Sequence, residues 1–349
     1  MVNMKDVAMA AGVSIATVSN VLNKTKKVSP AVEARVLDVV QTMNYKVDVK
    51  ARALKSKKTM TLGFVVSQLD SIFFPMVIKG IQKVAEEHNY NLIFLPTNLS
   101  FNQEKINIKN LISNYVDGII IDSIAAEDDF EYFRYLQGLH NKSKKIPVVS
   151  IQRDMTMYGI PSASLNAVSG GDMATQHLID KGCRKIASIA GPSVSAWARD
   201  RRIGYRAALQ RAGIPYSSSY VTTGDCSIVS GYLCTKQFLM NAMEFDGIFA
   251  QNDLMAVGAI KALCEKNIDI PNQVKVIGFD NIFVSSIINP SLTTVNIPKQ
   301  RMGEEGARML INIINDGSDI KGEKIELPMN LIERQSTNPN LRNEWDIYS

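Results

Sequence analysis

Short apolar runs alternate with amphipathic helical stretches along most of this chain, and that alternation fixes the fold class before any single residue is weighed. From Thr61 the runs are Leu62 to Val66, Asn91 to Leu95, Gly118 to Ile121 and Val148 to Ile151, with helices such as Pro75 to His88 and Glu104 to Asn114 between them. The pattern recurs in Ile186 to Ala190, Tyr220 to Thr223, Gly247 to Ala250 and Val274 to Gly278, interleaved with helices around Ala207, Tyr232 and Met255. Runs hydrophobic on both faces are strands of a parallel sheet covered by helices on both sides. The body is therefore α/β, two doubly wound parallel-sheet subdomains with a cleft at the carboxyl ends of their strands. After about residue 290 the chain is expected to return to the first subdomain through Leu292 to Ile297 and a helix Gly303 to Ile314, with a strand Lys324 to Ile332 closing the second.

The first sixty residues are different in kind. They hold 11 Lys and Arg against 4 Asp and Glu, net +7, while the remaining 289 hold 28 against 30, net −2. Positive charge confined to one small segment is the footprint of a nucleic-acid-binding module. Residues 4 to 11 place Val7, Ala8 and Ala11 on one helical face, with Asn3 as cap and Asp6 in the first turn. Gly12 ends that helix and Ser14 caps a second, Ile15 to Leu22, in which Val18, Val21 and Leu22 recur at helical spacing and Ile15, Ala16, Ser19 and Asn20 face elsewhere. Ser29-Pro30 starts a third, to Met43, with Val32, Val36, Val39, Val40 and Met43 to pack across the first two. The tight Ala-Gly-Val-Ser turn lets a second helix project into a major groove, which weighs against a helical bundle that merely packs on the body.

Asp6-Val7-Ala8, Ala11-Gly12-Val13-Ser14, Thr17-Val18-Ser19, Val28-Ser29 and Asn44-Tyr45 resemble the lactose/galactose repressor (LacI/GalR) family of transcriptional regulators. The resemblance implies that Ile15, Ala16 and Asn20 read bases and that Ser14, Thr17 and Ser19 contact phosphates. Relatives often carry Arg at position 20. Asn suits adenine where Arg suits guanine, so an A·T preference is expected at that step. Residues 46 to 58, with six basic residues, form a solvated linker or, by the resemblance, a hinge helix in which Leu54 wedges into the minor groove flanked by Arg52 and Lys55. Val47-Asp48 replaces the family's usual Pro-Asn, which removes the fixed backbone angle that starts the hinge.

The resemblance continues through Phe73-Phe74-Pro75, Val116-Asp117-Gly118-Ile119-Ile120, His177-Leu178-Ile179, Arg201-x-x-Gly204-Tyr205, Asn252-Asp253-x-Met255-Ala256 and Gly278-Phe279-Asp280-Asn281 to about residue 335. These resemble the family's effector-binding domain, itself similar to periplasmic sugar-binding proteins. The implied layout is a DNA-binding domain at 1–46, a hinge at 47–59, an effector-binding domain at 60–337 (60–161 with 292–321, and 162–291 with 322–337) and a tail at 338–349. Arg201, Asn252 and Asp280 are the implied polar clamp on an effector and Phe74 its apolar floor, with Gln152, Asn166 and Trp197 as further candidates. Gln152-Arg153 and Leu165-Asn166 stand where many relatives have Asp-Arg and Asp-Asn. Loss of two carboxylates suggests an effector with its own negative charge, such as a sugar phosphate, or one less hydroxylated.

Enzyme function is not expected: no strand leads into a GxGxxG or GxxxxGK[ST] loop, no G-x-S-x-G elbow occurs, and Gly170-Gly171 and Gly224 read as turn residues. The four cysteines and three histidines are scattered without metal-ligand spacing, so neither metal nor cofactor is expected, and no apolar run reaches membrane-spanning length. A cytoplasmic location follows. The tail after Thr337 is too short and polar for tetramerising heptads, leaving a homodimer on a pseudo-palindromic operator. Some members of the family also dock a phosphocarrier protein as corepressor, a partner on which these residues are silent. The rival reading is a small-molecule-binding module whose head serves protein contacts.

Overall fold

The computed structural model describes residues 2–23, 26–45, 58–69, 72–140, 146–316 and 322–342. The chain divides into two compact units, Met1–Thr59 and Met60–Ser349. The expected hinge residues Arg52, Leu54 and Lys55 lie outside the described residues.

In the first unit, helix α1 (Met4–Ala10) begins with a reciprocal cap: Asn3 Oδ1 accepts from the Lys5 and Asp6 amides, and Asp6 accepts from the Asn3 amide at 2.8 Å. Gly12, at φ +63°, turns the chain where a Cβ would be strained. Ser14 Oγ then accepts from the Thr17 amide at 3.1 Å and opens α2 (Ile15–Asn23). Pro30, which has no amide to leave unpaired, opens α3 (Pro30–Thr42). Val7, Ala8, Ala11, Val18, Val21 and Val36 form a small core of their own among the three helices.

The second unit holds two six-stranded sheets. Its strands are β1 (Thr61–Val66), β2 (Asn91–Pro96), β3 (Gly118–Ile121), β4 (Val148–Gln152), β5 (Ser162–Ser164), β6 (Ile186–Ala190), β7 (Val221–Thr223), β8 (Gly247–Ala250), β9 (Lys275–Asp280), β10 (Thr293–Asn296), β11 (Lys324–Glu326) and β12 (Asn330–Ile332). The first sheet runs β11-β5-β4-β3-β1-β2 and the second β12-β10-β9-β8-β6-β7. All ladders are parallel except β10 with β12. Every residue of β3 and β6 is buried, as strands covered on both faces require.

The helices of this unit are α4 (Phe74–Glu87), α5 (Phe101–Ser113), α6 (Phe130–His140), α7 (Ala167–Asp180), α8 (Ala196–Arg211), α9 (Ile228–Met240), α10 (Asp253–Cys264), the short α11 (Val284–Ile287) and α12 (Lys299–Asp316). Close helix pairs depend on glycine. A Cβ on Gly80 of α4 would lie 2.0 Å from the Gln300 carbonyl of α12, and one on Gly171 of α7 would lie 2.1 Å from the Arg201 carbonyl of α8. Gly170 and Gly171 therefore sit inside α7 as packing residues, not in a turn as expected.

Three strand assignments differ from expectation. Ser162–Ser164 belongs to the first sheet, although Ser-Ala-Ser carries no apolar signal, because it pairs in register with β4. Residues Thr293–Asn296, expected in the first subdomain, pair with β9 in the second, so the chain returns at about residue 297 and not 292. The single strand expected over Lys324 to Ile332 is two: β11 closes the first sheet and β12 the second, with Pro328, which cannot donate to a ladder, between them. The chain thus crosses between lobes three times.

Candidate functional site

In the first unit, the predicted DNA-contacting residues Ser14, Ile15, Ala16, Thr17, Ser19 and Asn20 all fall on the cap and first turns of α2. Ser14, Ile15 and Ala16 are exposed, and Thr17, Ser19 and Asn20 half-buried. Ile15 leaves 48% of its surface open, an apolar side chain that the head's own core does not claim. Ser14 Oγ lies 2.9 Å from Thr17 Oγ1, which fixes both hydroxyls at the helix N-terminus, where backbone amides and the helix dipole favour phosphate.

In the second unit a cavity of about 130 Å³ opens between the lobes at the carboxyl ends of the parallel strands. The first lobe supplies Ser67 after β1, Asp122, Ser123, Ile124 and Glu127 after β3, and Gln152, Arg153 and Asp154 at the end of β4. The second supplies Ser195, Trp197, Asp200 and Arg201 at the start of α8, with Phe279 of β9 and Met329. This is where open α/β sheets bind ligands, since successive strands deliver their following loops to one edge.

Arg201 is the fixed point of the site. Only 3% exposed, it donates through Nη1 to the Gln251 carbonyl and through Nη2 to Asp280 Oδ1 at 3.5 Å. Its guanidinium carbon lies 3.6 Å from the Phe279 ring centroid and 4.5 Å from that of Trp197, so two aromatic faces hold it. Its Nε finds no partner among the described residues, and neither do Gln152 Oε1 and Ser195 Oγ. Three buried polar atoms on cavity-lining residues are thus left for a ligand to satisfy. Gln152 holds φ +69°, a left-handed conformation unusual for a residue with a side chain.

The carboxylates carry different loads. Asp122 is pushed up to about 6 by burial, opposed by hydrogen bonds from Ser67, and Glu104 beneath it adds repulsion. Asp200 is raised by burial against the pull of Arg199. Glu127 is ion-paired with Arg199, and Asp154 with Lys324 at 3.0 Å. Glu104, wholly buried behind the cavity, accepts from Ser123 Oγ at 2.7 Å and from the Ile124 amide at 2.9 Å, which holds the loop bearing Asp122. Arg153 donates to the Ala125 carbonyl of the same loop at 2.6 Å.

Among the effector candidates, Gln152, Trp197 and Arg201 line the cavity together. Asp280 touches it through Arg201 and is raised to about 6 by burial despite that partner. Asn166 lies between the lining residues Leu165 and Ala167, and its Oδ1 caps α7 through the Ser169 amide at 3.0 Å. Asn252 does not line the cavity. Its Oδ1 caps α10 through the Met255 amide and its Nδ2 donates to the Cys226 carbonyl, each at 2.9 Å, so both ends serve the scaffold. Phe74 is 4% exposed and packs in the core against Phe64 and Phe73, away from the cavity lining, because the first turn of α4 faces the sheet.

Gln152 and Leu165 bring no carboxylate to the cavity, but other residues do. Asp122, Glu127, Asp154 and Asp200 line it against Arg153 and Arg201. Sequence reading missed Asp122 and Asp200 because it compared only two positions with relatives. Their signal was positional: Asp122 follows a buried strand directly, and Asp200 lies one residue before the clamp arginine. Among the described residues no acidic, cysteine or histidine cluster could hold a metal ion, and no helix is long and apolar enough to cross a membrane.

A helix-turn-helix head followed by a two-lobed body with a polar cavity between its lobes defines an effector-responsive DNA-binding regulator. Residues 3–48 match the family described as bacterial regulatory proteins, lacI family, and residues 59–335 match periplasmic binding proteins and sugar binding domain of LacI family. The chain belongs to the LacI family. It is 34% identical over 343 residues to the ribose operon repressor of Escherichia coli K12, covering 96% of this chain and 100% of that one. It is also 34% identical to the HTH-type transcriptional regulator RegA of Clostridium saccharobutylicum, across 96% and 99% of the two chains. The structure of the lac repressor dimer bound to operator and the anti-inducer ONPF superposes with a TM-score of 0.86 at 27% identity, covering 96% of this chain and 99% of that one. These relatives are transcriptional regulators, as is this protein.

Proposed function

We propose that this protein is a cytoplasmic, homodimeric repressor whose operator affinity is set by an uncharged sugar in the interlobe cavity. One observation carries the reading: the cavity sets carboxylates beside the buried guanidinium of Arg201, the half-buried one of Arg153 and the Trp197 indole, and leaves Gln152 Oε1, Ser195 Oγ and Arg201 Nε unsatisfied. Carboxylates and guanidiniums hold vicinal hydroxyls by charge-assisted hydrogen bonds, while an aromatic face packs the apolar side of a sugar ring. Glu127 and Asp154 are already paired with Arg199 and Lys324, which leaves the buried-side carboxylates of Asp122 and Asp200 to oppose a phosphorylated ligand. The name of the ribose repressor relative makes D-ribose the first sugar to test.

In the head, Ile15, Ala16 and Asn20 are assigned to base edges, Ser14, Thr17 and Ser19 to phosphates, and Arg52, Leu54 and Lys55 to the hinge contact with the minor groove. Support for the homodimer comes from apolar side chains left open on the single chain: Ile93 and Phe94 of β2, Ile228, Val229 and Leu233 of α9, Phe283, and Ile287 of α11. An isologous interface would cover them and set two heads on a two-fold operator.

Isothermal titration of the full-length protein tests the effector, with D-ribose, other pentoses and hexoses, and their phosphates as titrants. Saturable heat from a neutral sugar, matched by a change in operator affinity, is the expected result. Binding of phosphates alone would overturn it. Operator affinity should also fall with salt at a log-log slope of about −5 to −9 if the dimer neutralises about 6 to 10 phosphates.

A further inference from the structure

Among the described residues three cationic side chains are buried: Arg201, Lys299 and Arg334. Arg201 belongs to the cavity. Lys299 does not line it, yet it belongs to a first-lobe helix while its ammonium reaches the second lobe. It is the first residue of α12, the helix that packs on α4 and on β3, β4 and β5 of the first lobe. Its ammonium donates to the carbonyls of Asp280, Asn281 (2.9 Å) and Ile297 (3.2 Å). Asp280 ends β9 of the second lobe and Asn281 follows it, and Ile297 sits on the crossover that follows β10. An ammonium has three donors, and here three backbone carbonyls converge on it.

The backbone at the far end of this tripod is unusual. Asp280 and Asn281 hold φ +106° and +51°, conformations that residues with side chains rarely adopt without being held by their surroundings. Asn281 is anchored within the second lobe by Arg334, whose Nη2 donates to its Oδ1 at 2.8 Å. The carboxylates of Asp253 and Asp280 lie near enough to favour the charged ammonium against its burial. Asp253 is itself fixed, accepting from Thr294 Oγ1 at 2.6 Å and from the Ile282 amide at 2.8 Å.

A continuous chain of contacts therefore joins the cavity to the first lobe. Arg201 binds the Asp280 side chain, the Asp280 carbonyl binds Lys299, and Lys299 begins α12. We propose that Lys299 is a positioning residue for the allosteric response: it ties the 280–281 segment to the crossover, so that a ligand held by Arg201 alters the placement of α12 and with it the operator-binding half of the protein. Filling the interior would not require lysine, since methionine fills a similar volume without donors. What lysine adds is the bonded link between lobes. This inference rests on the reading that a sugar in the cavity controls operator affinity.

Lys299→Met in the full-length protein tests it, with D-ribose, D-fructose, D-galactose and cellobiose as the sugar probes. Three quantities are read: the calorimetric sugar Kd, the operator Kd by fluorescence anisotropy with and without saturating sugar, and the melting transition. In the wild type the two operator Kd values should differ by about tenfold or more. In the variant their ratio should fall below about twofold while the sugar Kd changes by less than about threefold. A variant that keeps the wild-type ratio overturns the proposal, and so does one in which both affinities weaken together with the ratio intact, the signature of a merely structural residue. Lys299→Gln retains two of the three N–H donors and should give an intermediate ratio if Lys299→Met does not fold; a full ratio in Lys299→Gln overturns the proposal. Lys83→Met, which removes an exposed ion pair to Glu304 of α12 within the first lobe, should leave the ratio unchanged. A wild type whose operator affinity ignores every bound probe, or that binds none of them, overturns the sugar reading and this inference with it.

Discussion

Replacing Gly171 with alanine should damage sugar binding from behind the cavity, without adding any atom to its lining. An added Cβ would lie 2.1 Å from the Arg201 carbonyl oxygen and 2.8 Å from its carbonyl carbon and Cα, whereas ordinary contact begins at 3.4 Å. The blocking atoms are backbone, so no side-chain rotation relieves them, and α7 and α8 must separate by about 1.3 Å at this point, the difference between those two distances. Overpacking of this kind destabilises by about 1–3 kcal/mol. The same displacement carries Arg201 away from the Gln251 carbonyl, and its contact to Asp280, already 3.5 Å, passes beyond hydrogen-bond reach. Losing the alignment of one charge-assisted hydrogen bond costs about 1.5–3 kcal/mol, or roughly ten- to a hundredfold in sugar affinity. Urea unfolding of Gly171→Ala should show a lower midpoint, and calorimetry a weaker sugar Kd. Gly138→Ala in α6 is the control, because a Cβ there meets nothing within 4 Å and should stabilise its helix by about 0.5–1 kcal/mol. Wild-type midpoint and wild-type Kd in Gly171→Ala would refute the packing argument outright.

Asp122, raised to about 6 by burial, should lose its ionised acceptor as pH falls from 7 to 5, so sugar affinity should decline over that range and the decline should vanish in Asp122→Asn. The stability linkage runs the other way: with a folded pKa above 3.8, the native protein binds more protons than the unfolded chain, so this group's contribution is full at low pH and is lost as pH rises through about 6. Comparing urea midpoints of wild type and Asp122→Asn from pH 4 to 7 reads that sign directly. Asn20→Arg should move the preferred base at its step from adenine to guanine, and selection from randomised operators that returns the same base for both proteins would count against the assignment. Asn3→Ala removes the reciprocal cap of α1 and should cost the head about 1 kcal/mol, read as an earlier melting transition of the first unit.

Strand-helix alternation made the body legible because a strand buried on both faces must be apolar at every position, as Gly118–Ile121 and Ile186–Ala190 are. The short inner strand β5 escaped for a different reason. Ser162–Ser164 is held by register with its neighbour and by the Ser162 hydroxyl, which accepts from the Met155 amide at 2.9 Å, and neither is a property of local composition. The cap of α1 was visible because a capping box is local in sequence. Phe74 was misplaced because an aromatic in the first turn of a helix reads alike whether it meets a ligand or a core, and only the packing of Phe64 and Phe73 around it decides. Gly171 and Gly204 likewise gave no local hint: a glycine that admits a neighbouring helix looks in sequence like one that turns a loop.

The three crossings between lobes bear on the order in which the chain can mature. During synthesis the head leaves the ribosome before the body, with its own small core. The first lobe cannot follow it to completion, because α12 and β11, residues 299–326, emerge only after strands β6 to β10 of the second lobe. Until then the surface of β3, β4 and α4 that α12 covers stays open, with Gly80 and Gly118 facing space that Gln300 and Leu310 will fill. The second lobe, whose strands β6 to β10 are contiguous, can assemble earlier. A ribosome stalled near residue 298 would therefore display a finished reader of DNA beside an unfinished sensor, and α12 completes the lobe only once it is released.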